Sequence, residues 1–352
     1  MQIAKKLGLE TEIFCRMVLM TKMLLSNVIG HAAELHYEKC LEKQGLSFIK
    51  AGTDEHFDYT VGQFRDQVKR FESSSTNLRK IGANLTQTHG DRSAQDAFYS
   101  LNSFDRLILF DVGFEDYLNI KISDLPLHPK YPTHVKGKIT VDRDGNLLSN
   151  FNKEFLSTMQ IPNQGFPSAI EELRKKYSLN YTQLLEKICN LTTDEIDSLF
   201  TIDNFRLVTG AKGFAAEEHF NVFLENHNIQ YRQDKDMYSK VDHWIGDLRV
   251  QVKIPNQRAV DENNWAFKTH KSHGSGVGEL YEKDAFDVVA LFVGFEIDEN
   301  IDRYFPVSVK NEFIMIPMSD IEEHPNYPGF LKRITKFSKN KYKVNDISLL
   351  KV

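Results

Sequence analysis

Apolar and polar positions alternate clearly in one stretch of the chain. Leu248, Val250, Val252 and Ile254 are interleaved with Arg249, Gln251 and Lys253, which predicts a strand with one apolar and one polar face. Ahead of it runs Val241-Asp242-His243-Trp244-Ile245, and Gly246-Asp247 between the two has the chemistry of a two-residue hairpin turn. Further upstream, Gly213-Phe214-Ala215-Ala216-Glu217 opens a stretch reaching Leu224 whose apolar residues recur at helical spacing.

The same order occurs earlier in the chain. Gly30-His31-Ala32-Ala33-Glu34 starts a helical stretch reaching Leu41, followed by Phe57-Asp58-Tyr59-Thr60-Val61, Gly62-Gln63 and Phe64-Arg65-Asp66-Gln67-Val68-Lys69. Beyond the hairpins, Phe104-Asp105-Arg106-Leu107-Ile108-Leu109-Phe110 answers to Phe286-Asp287-Val288-Val289-Ala290-Leu291-Phe292 as a buried strand. Next, His128-Pro129-Lys130-Tyr131-Pro132 answers to His324-Pro325-Asn326-Tyr327-Pro328, a turn made rigid by proline. So long a shared order of elements reads as a tandem duplication. The expected division is a first domain over 1–135, a connector with helical segments over 136–190, and a second domain over 191–352. The connector holds the turn signal Asp142-Arg143-Asp144-Gly145 and helix patterns near Ser168 to Tyr177 and Tyr181 to Cys189.

Hairpin counting predicts where side chains meet. A two-residue turn at Gly246-Asp247 pairs Ile245 with Leu248 and puts Asp242 opposite Gln251. Directly opposed residues have Cβ atoms about 5 Å apart. Asp242, Gln251 and Lys253 then share one patch, and the same count gathers Asp58, Gln67 and Lys69. A lone hairpin of this kind is ordinarily a solvated surface; its repetition is what suggests a site.

Composition narrows the setting. The 352 residues suffice for two domains, and 41% hydrophobic with 26% charged residues is the balance of a soluble globular protein. No apolar run has the roughly 18 residues a membrane span needs, and the start reads as a mixed helix rather than a signal peptide. Cys15, Cys40 and Cys189 have no metal-binding spacing, so a reducing cytoplasmic setting without a disulfide partner is expected. A net charge of −5 means that nucleic acid would be held by local basic patches only.

Acid, amide and ammonium grouped in this way suit phosphodiester cleavage, which needs a hard cation on oxygen ligands and stabilisation of developing charge. Asp58 and Asp242 supply carboxylates, Gln67 and Gln251 neutral amide oxygens, and the carbonyls of Val68 and Val252 a further contact. Lys69 and Lys253 position water or hold phosphate. Glu34 and Glu217 complete the set from the preceding helix. His36 and His219, two positions beyond the glutamates, read as packing or capping residues. Trp244 lies on the Asp242 face by parity.

Asp, a hairpin turn, then Gln-x-Lys behind a helix carrying Glu resembles the PD-(D/E)xK nuclease superfamily, in the Gln-x-Lys form of its Mrr-like restriction endonucleases. The resemblance runs over Thr11 to Pro132 and Asp194 to Pro328. It implies two tandem α/β restriction-endonuclease-like domains, each a central mixed β-sheet with helices on both sides, and Mg²⁺-dependent DNA cleavage with Mn²⁺ able to substitute. Asp58, Gln67, Asp242 and Gln251 are the expected metal ligands; with Glu34, Lys69, Glu217 and Lys253 they form the expected catalytic set. Arg65, Arg249, Lys268 and Lys271 are the expected DNA contacts, with His270, Ser272, His273, Gly274 and Gly276 in one basic segment and Arg70, Arg79 and Lys80 around Ser73 to Thr76 in the other.

The resulting expectation is a type II restriction-like endonuclease that cuts double-stranded DNA, its two sites forming an intrachain pseudo-dimer within a monomer. Alternatives are a structure-selective repair or recombination nuclease resembling a junction resolvase, a non-catalytic DNA-binding protein with a nuclease fold, or an RNA target.

Overall fold

The computed structural model describes residues 1–52, 55–70, 72–73, 80–86, 98–111, 113–114, 116–142, 149–201, 204–233, 239, 241–256, 259–269, 280–298 and 305–351. Two compact units emerge. The first unit is Val18–Asn204, and the second joins Met1–Met17 to Phe205–Val352.

Each unit is built on a five-stranded mixed sheet of one topology. In the first the order is Phe48–Lys50, Tyr59–Val61, Phe64–Arg70, Arg106–Phe110 and Tyr117–Lys121. In the second, read from the equivalent edge, it is Arg232–Gln233, His243–Ile245, Leu248–Lys253, Val288–Phe292 and Phe313–Pro317. The second hairpin strand pairs in parallel with the buried strand in both units, and the other pairings are antiparallel. A mixed α/β architecture with two mixed sheets is therefore established.

The opposite faces of each sheet are covered differently. Val288, Ala290 and Phe292 pack with Ala216, Phe220, Phe223 and Leu224 of the long helix Phe205–Asn226. Val289 and Leu291, on the other face by strand parity, pack with Phe267, Leu331 and Phe337. These belong to or adjoin the small antiparallel sheet Asn264–Lys268 with Ile334–Ser338. The first unit has its counterpart in Lys80–Asn84 with Lys138–Asp142, and Ala83 and Ile139 pack there on Leu107 and Leu109. Helices on both sides were expected. The structure puts a helix on one face and a small sheet on the other, because the polar segment after each hairpin holds one of the extra strands.

Gly30 and Gly213 do not start their helices. They sit within Lys22–Lys43 and Phe205–Asn226, where Leu24, Leu25, Val28, Ile29, Ala32 and Ala33 already form a buried stripe ahead of Glu34. Apolar spacing continues upstream of the glycine, so the helix does too.

The units do not follow the repeat boundaries. Helices Tyr181–Cys189 and Thr193–Ser198, which precede the second repeat's long helix, belong to the first unit. Both are locally specified by capping boxes, Asn180 with Gln183 and Thr192 with Glu195. The His36 ring donates from Nε2 to the carbonyl of Cys189 at 2.9 Å, and Lys39 pairs with Glu195 at 2.5 Å. Reciprocally, Gln2–Lys6 and most of Thr11–Met20 belong to the second unit. There His219 donates from Nε2 to the carbonyl of Leu7 at 2.8 Å, and Arg16 pairs with Glu218 at 3.2 Å. Each unit thus combines the sheet of one repeat with the leading helices of the other. The helices of the expected 136–190 connector, Asn150–Gln160, Phe166–Lys176 and Tyr181–Cys189, lie within the first unit.

Among the described residues, no single helix is long and apolar enough to cross a membrane.

One core feature distinguishes the units. In the first, Asp66 is fully buried and accepts Arg106 Nε and Nη2, both at 2.6 Å, together with the Tyr37 hydroxyl at 2.6 Å. The matching positions in the second unit are Val250, Val288 and Phe220, all buried and apolar. Breaking a buried ion pair costs about 3–5 kcal/mol, whereas replacing the whole set with apolar groups is often neutral. Arg106→Val alone should therefore destabilise the first unit by about 3–5 kcal/mol in urea unfolding. Tyr37→Phe, Asp66→Val and Arg106→Val together should restore most of that loss. The exchanged helices generate a second expectation. Deleting residues 2–17 should speed amide exchange at least ~10-fold in Leu248–Lys253 and Val288–Phe292 while sparing Phe64–Arg70 and Arg106–Phe110.

Candidate active site

Asp58 and Asp242 stand one residue ahead of the first hairpin strand, at the open end of the hairpin. Gly62 at φ +60° and Gly246 at φ +57° let each turn close in two residues. The pairs are Tyr59–Asp66, Thr60–Arg65 and Val61–Phe64 in one unit, and His243–Val250, Trp244–Arg249 and Ile245–Leu248 in the other.

One step further along each ladder, the acid meets the amide. Asp58 Oδ2 accepts Gln67 Nε2 at 2.5 Å and the Val68 backbone N–H at 2.7 Å. Asp242 Oδ2 accepts Gln251 Nε2 and the Val252 N–H, the latter at 2.7 Å. The same amide nitrogens lie 3.3 Å from the Val68 carbonyl and 3.4 Å from the Val252 carbonyl. Gln67 and Gln251 are buried, whereas the acids and lysines around them are half-buried. In the second unit Gln251 Oε1 is buried with no hydrogen-bond partner.

The structure also brings each lysine and each helical glutamate to this place. Lys253 Nζ donates to the Tyr281 hydroxyl at 3.2 Å and lies 5.2 Å from the ring centre; Lys69 Nζ lies 5.9 Å from the Tyr99 ring centre. Burial works against both ammonium groups, but Tyr99, Asp58 and Glu34 raise Lys69 above its ordinary value, and Tyr281, Asp242 and Glu217 do so for Lys253. Burial, then the neighbouring Glu34 charge, pushes Asp58 up to about 7. Burial and Asp242 likewise drive Glu217 well above the carboxylate range. Glu34 goes the other way: burial opposes ionisation, but His31, Lys50 and Lys69 outweigh it and hold the carboxyl low.

Tyr99 and Tyr281 were not singled out from the sequence. Both are buried, both pack edge-on against a phenylalanine (Phe104 and Phe286), and both precede a strand whose Asp follows that phenylalanine. The readable signal was Tyr-x₄-Phe-Asp, present once in each repeat.

Other expected residues are placed elsewhere. Arg65 makes a bidentate pair with Asp105, with Nε–Oδ2 at 3.1 Å and Nη2–Oδ1 at 3.0 Å, and gives Nη1 to the Asn102 carbonyl at 2.7 Å. Arg249 repeats this with Asp287 at 3.1 and 2.8 Å and the Asp284 carbonyl at 2.6 Å. These guanidinium groups, expected at a DNA contact, are engaged within the fold. Lys268 is exposed at the end of its strand; Lys271 and the neighbouring histidines, serine and glycines lie outside the described residues, as do Arg79 and Thr76. His36 and His219 hold the exchanged helices rather than joining the acids. Trp244 lies 5.2 Å from the Arg232 guanidinium. In the His-Pro turns, His128 Nδ1 accepts the Lys130 N–H at 3.2 Å and His324 Nδ1 the Asn326 N–H at 3.1 Å, which locks each turn.

No family profile and no curated protein matches this chain. Among solved structures, a bacterial homing endonuclease is similar over 35% of this chain and 83% of its own, at 16% identity and a TM-score of 0.25. At that score the likeness carries no argument.

Raised carboxyl groups give a stability test. A folded-state value above the unfolded one means that the folded protein holds more protons in that window, so stability falls as pH rises through it. With divalent ions chelated, Asp58 should make the unfolding temperature fall as pH rises from about 4 to about 7. Glu217 should act in the same direction. Asp58→Asn with Glu217→Gln should flatten that slope in thermal scans across pH.

Proposed function

We propose that this chain is a divalent-metal-dependent endonuclease of the PD-(D/E)xK type acting on double-stranded DNA, with one site in each unit. The observation that carries this reading is the repetition of glutamate, aspartate, glutamine, lysine and tyrosine in the same arrangement in two units of 352 residues. A solvated hairpin surface has no reason to keep its amide buried against its acid twice.

The donor set fits a hard cation. Asp58 or Asp242, the glutamine amide, the Val68 or Val252 carbonyl and the helical glutamate offer only oxygen, as Mg²⁺ and Mn²⁺ prefer. The unpartnered Gln251 Oε1 supports this fit. A half-turn of the amide exchanges its NH₂ for that oxygen between the aspartate and the carbonyl. No cluster of three or more His, Cys, Asp or Glu occurs among the described residues. With two carboxylates and a neutral amide, the set carries less charge than an all-acid site, so nucleic acid phosphate would supply part of the ion's ligands.

When bound, the ion would supply charge neutralisation at the phosphate and acidification of a water. The protein groups have separate tasks. Asp58 must be ionised to serve as a ligand, so an ion bound there would displace the proton that burial and Glu34 favour on it. Lys69 and Lys253, kept protonated by their neighbours, place a positive charge beside the phosphate and orient the attacking water. Tyr99 and Tyr281 confine the ammonium groups. Gly30 and Gly213, one turn ahead of the glutamates, have nothing among the described residues within 4 Å of where a Cβ would sit.

Cleavage of supercoiled plasmid with Mg²⁺ or Mn²⁺ tests the proposal. Wild type should linearise it. Lys69→Ala and Lys253→Ala should each leave a nicking enzyme, with linearisation lowered by roughly 10²–10³-fold, and the double variant should do neither. Linearisation at the wild-type rate by either single variant would overturn the paired-site reading. Duplex binding by wild type without cleavage in either metal would select the non-catalytic alternative.

A further inference from the structure

The two glutamates have different neighbours. In the first unit, His31 Nδ1 lies 3.4 Å from Glu34 Oε1 and Lys50 Nζ lies 3.8 Å from Glu34 Oε2. Each carboxylate oxygen thus has a nitrogen within 4 Å, and Lys50 is shared with Glu38, whose Oε1 accepts its hydrogen bond at 3.3 Å. His31 sits one turn earlier on the same helix, and Lys50 comes from the edge strand, where it pairs with Tyr59.

The second unit has neither partner. Phe214 stands three residues before Glu217, where His31 precedes Glu34. Gln233 pairs with His243 in the register that joins Lys50 to Tyr59. Glu217 makes no hydrogen bond or ion pair among the described residues. The adjoining Glu218 is paired with Arg16 at 3.2 Å.

We infer that the two sites take up divalent ions unequally, the second unit's site before the first. This rests on the metal-dependent reading above. At Glu34 an incoming cation competes with the Lys50 ammonium and the His31 ring for the carboxylate; at Glu217 those two positions hold Gln233 and Phe214, and the remaining neighbour, Lys253, has its counterpart in Lys69 at the first site. Lys50 is half exposed, so its contact is partly screened, and the expected inequality is about three- to tenfold in affinity. At limiting ion concentration the second unit would cut one strand first, and product would accumulate as nicked circle.

Direct Mn²⁺ binding by calorimetry, with the full chain and no DNA, tests the inference independently of cleavage. Asp58→Asn leaves the second site and should bind about three- to tenfold more tightly than Asp242→Asn, which leaves the first. Adding His31→Phe and Lys50→Gln to Asp242→Asn should close most of that gap. Adding Phe214→His and Gln233→Lys to Asp58→Asn should weaken its site to match. Unfolding midpoints of all variants establish that each is folded. Equal, measurable affinities, or a gap indifferent to Lys50→Gln, would overturn the inequality while leaving the metal reading intact. Absence of Mn²⁺ binding at both sites, in wild type as well, would overturn both.

Discussion

Everything at the site depends on the register of a two-residue hairpin. With Gly62 and Gly246 in left-handed geometry, the turn closes at once, and the acid lands opposite the amide. A slip of one residue would send Gln67 or Gln251 to the opposite face. The register is reinforced at the open end. Asp58 N–H donates to the Asp66 carbonyl at 2.8 Å while its carboxylate accepts the Val68 N–H, so one residue holds the partner strand twice. Asp242 does the same with the Val250 carbonyl and the Val252 N–H. The arginines beside the site act at the next strand. The Arg65 N–H bonds the Asp105 carboxylate at 2.7 Å and the Asp105 N–H bonds the Arg65 carbonyl at 2.8 Å, which fixes where the parallel strand begins. Arg249 and Asp287 repeat this clamp. The clamp in turn fixes Tyr99 and Tyr281, six residues before each aspartate in the sequence, beside the lysines.

Much of this was legible in the sequence because its periodicities are local. The alternation from Leu248 to Ile254, the glycine turn and the helical spacing after Gly213 each depend on neighbours a few residues away. The duplication made each reading available twice. What escaped was non-local. Parity assigned Arg65 and Arg249 to the polar face that carries the site, but the partners that engage them lie about 40 residues further on. Tyr99 and Tyr281 were hidden for the same reason, since an isolated tyrosine in a polar stretch gives no sign of a lysine 30 or 28 residues upstream. The small sheets were missed because strands such as Lys80–Asn84 are short and separated from their partners by most of the repeat. Helix starts were misplaced because the conspicuous Gly-x-Ala-Ala-Glu lies inside the helix, beyond a stripe that was already apolar.

Comparison of the units separates what the fold needs from what the site needs. Asp66, Arg106 and Tyr37 form an ion-paired set where Val250, Val288 and Phe220 are apolar, and both solutions occupy the same places beside the same sheet. That is the behaviour expected when the Coulombic gain of a buried pair roughly offsets its desolvation. The core has evidently tolerated a change of chemistry. The acid, amide, ammonium and phenol have not changed between the units, and neither has the arginine–aspartate clamp. Around the helical glutamate the units differ in charge: His31 and Lys50 stand beside Glu34, and Phe214 and Gln233 occupy the matching positions in the second unit.

The exchanged helices bind these observations to the chain as a whole. A long helix that packs on a sheet still has its outer side to cover, and in each unit the cover comes from the other repeat. His36 and His219 are the points of attachment: each ring is stacked on a phenylalanine (Phe114 and Phe292) and gives a hydrogen bond to the last turn or cap of a leading helix. Burial keeps both imidazoles from protonating readily, which suits a neutral ring donating one N–H to a carbonyl. Such a connection makes neither repeat sufficient for its own unit. The stability of the second site then depends on residues at the far end of the sequence, so two sites that share no residue still share the condition under which both exist: an intact chain through both repeats.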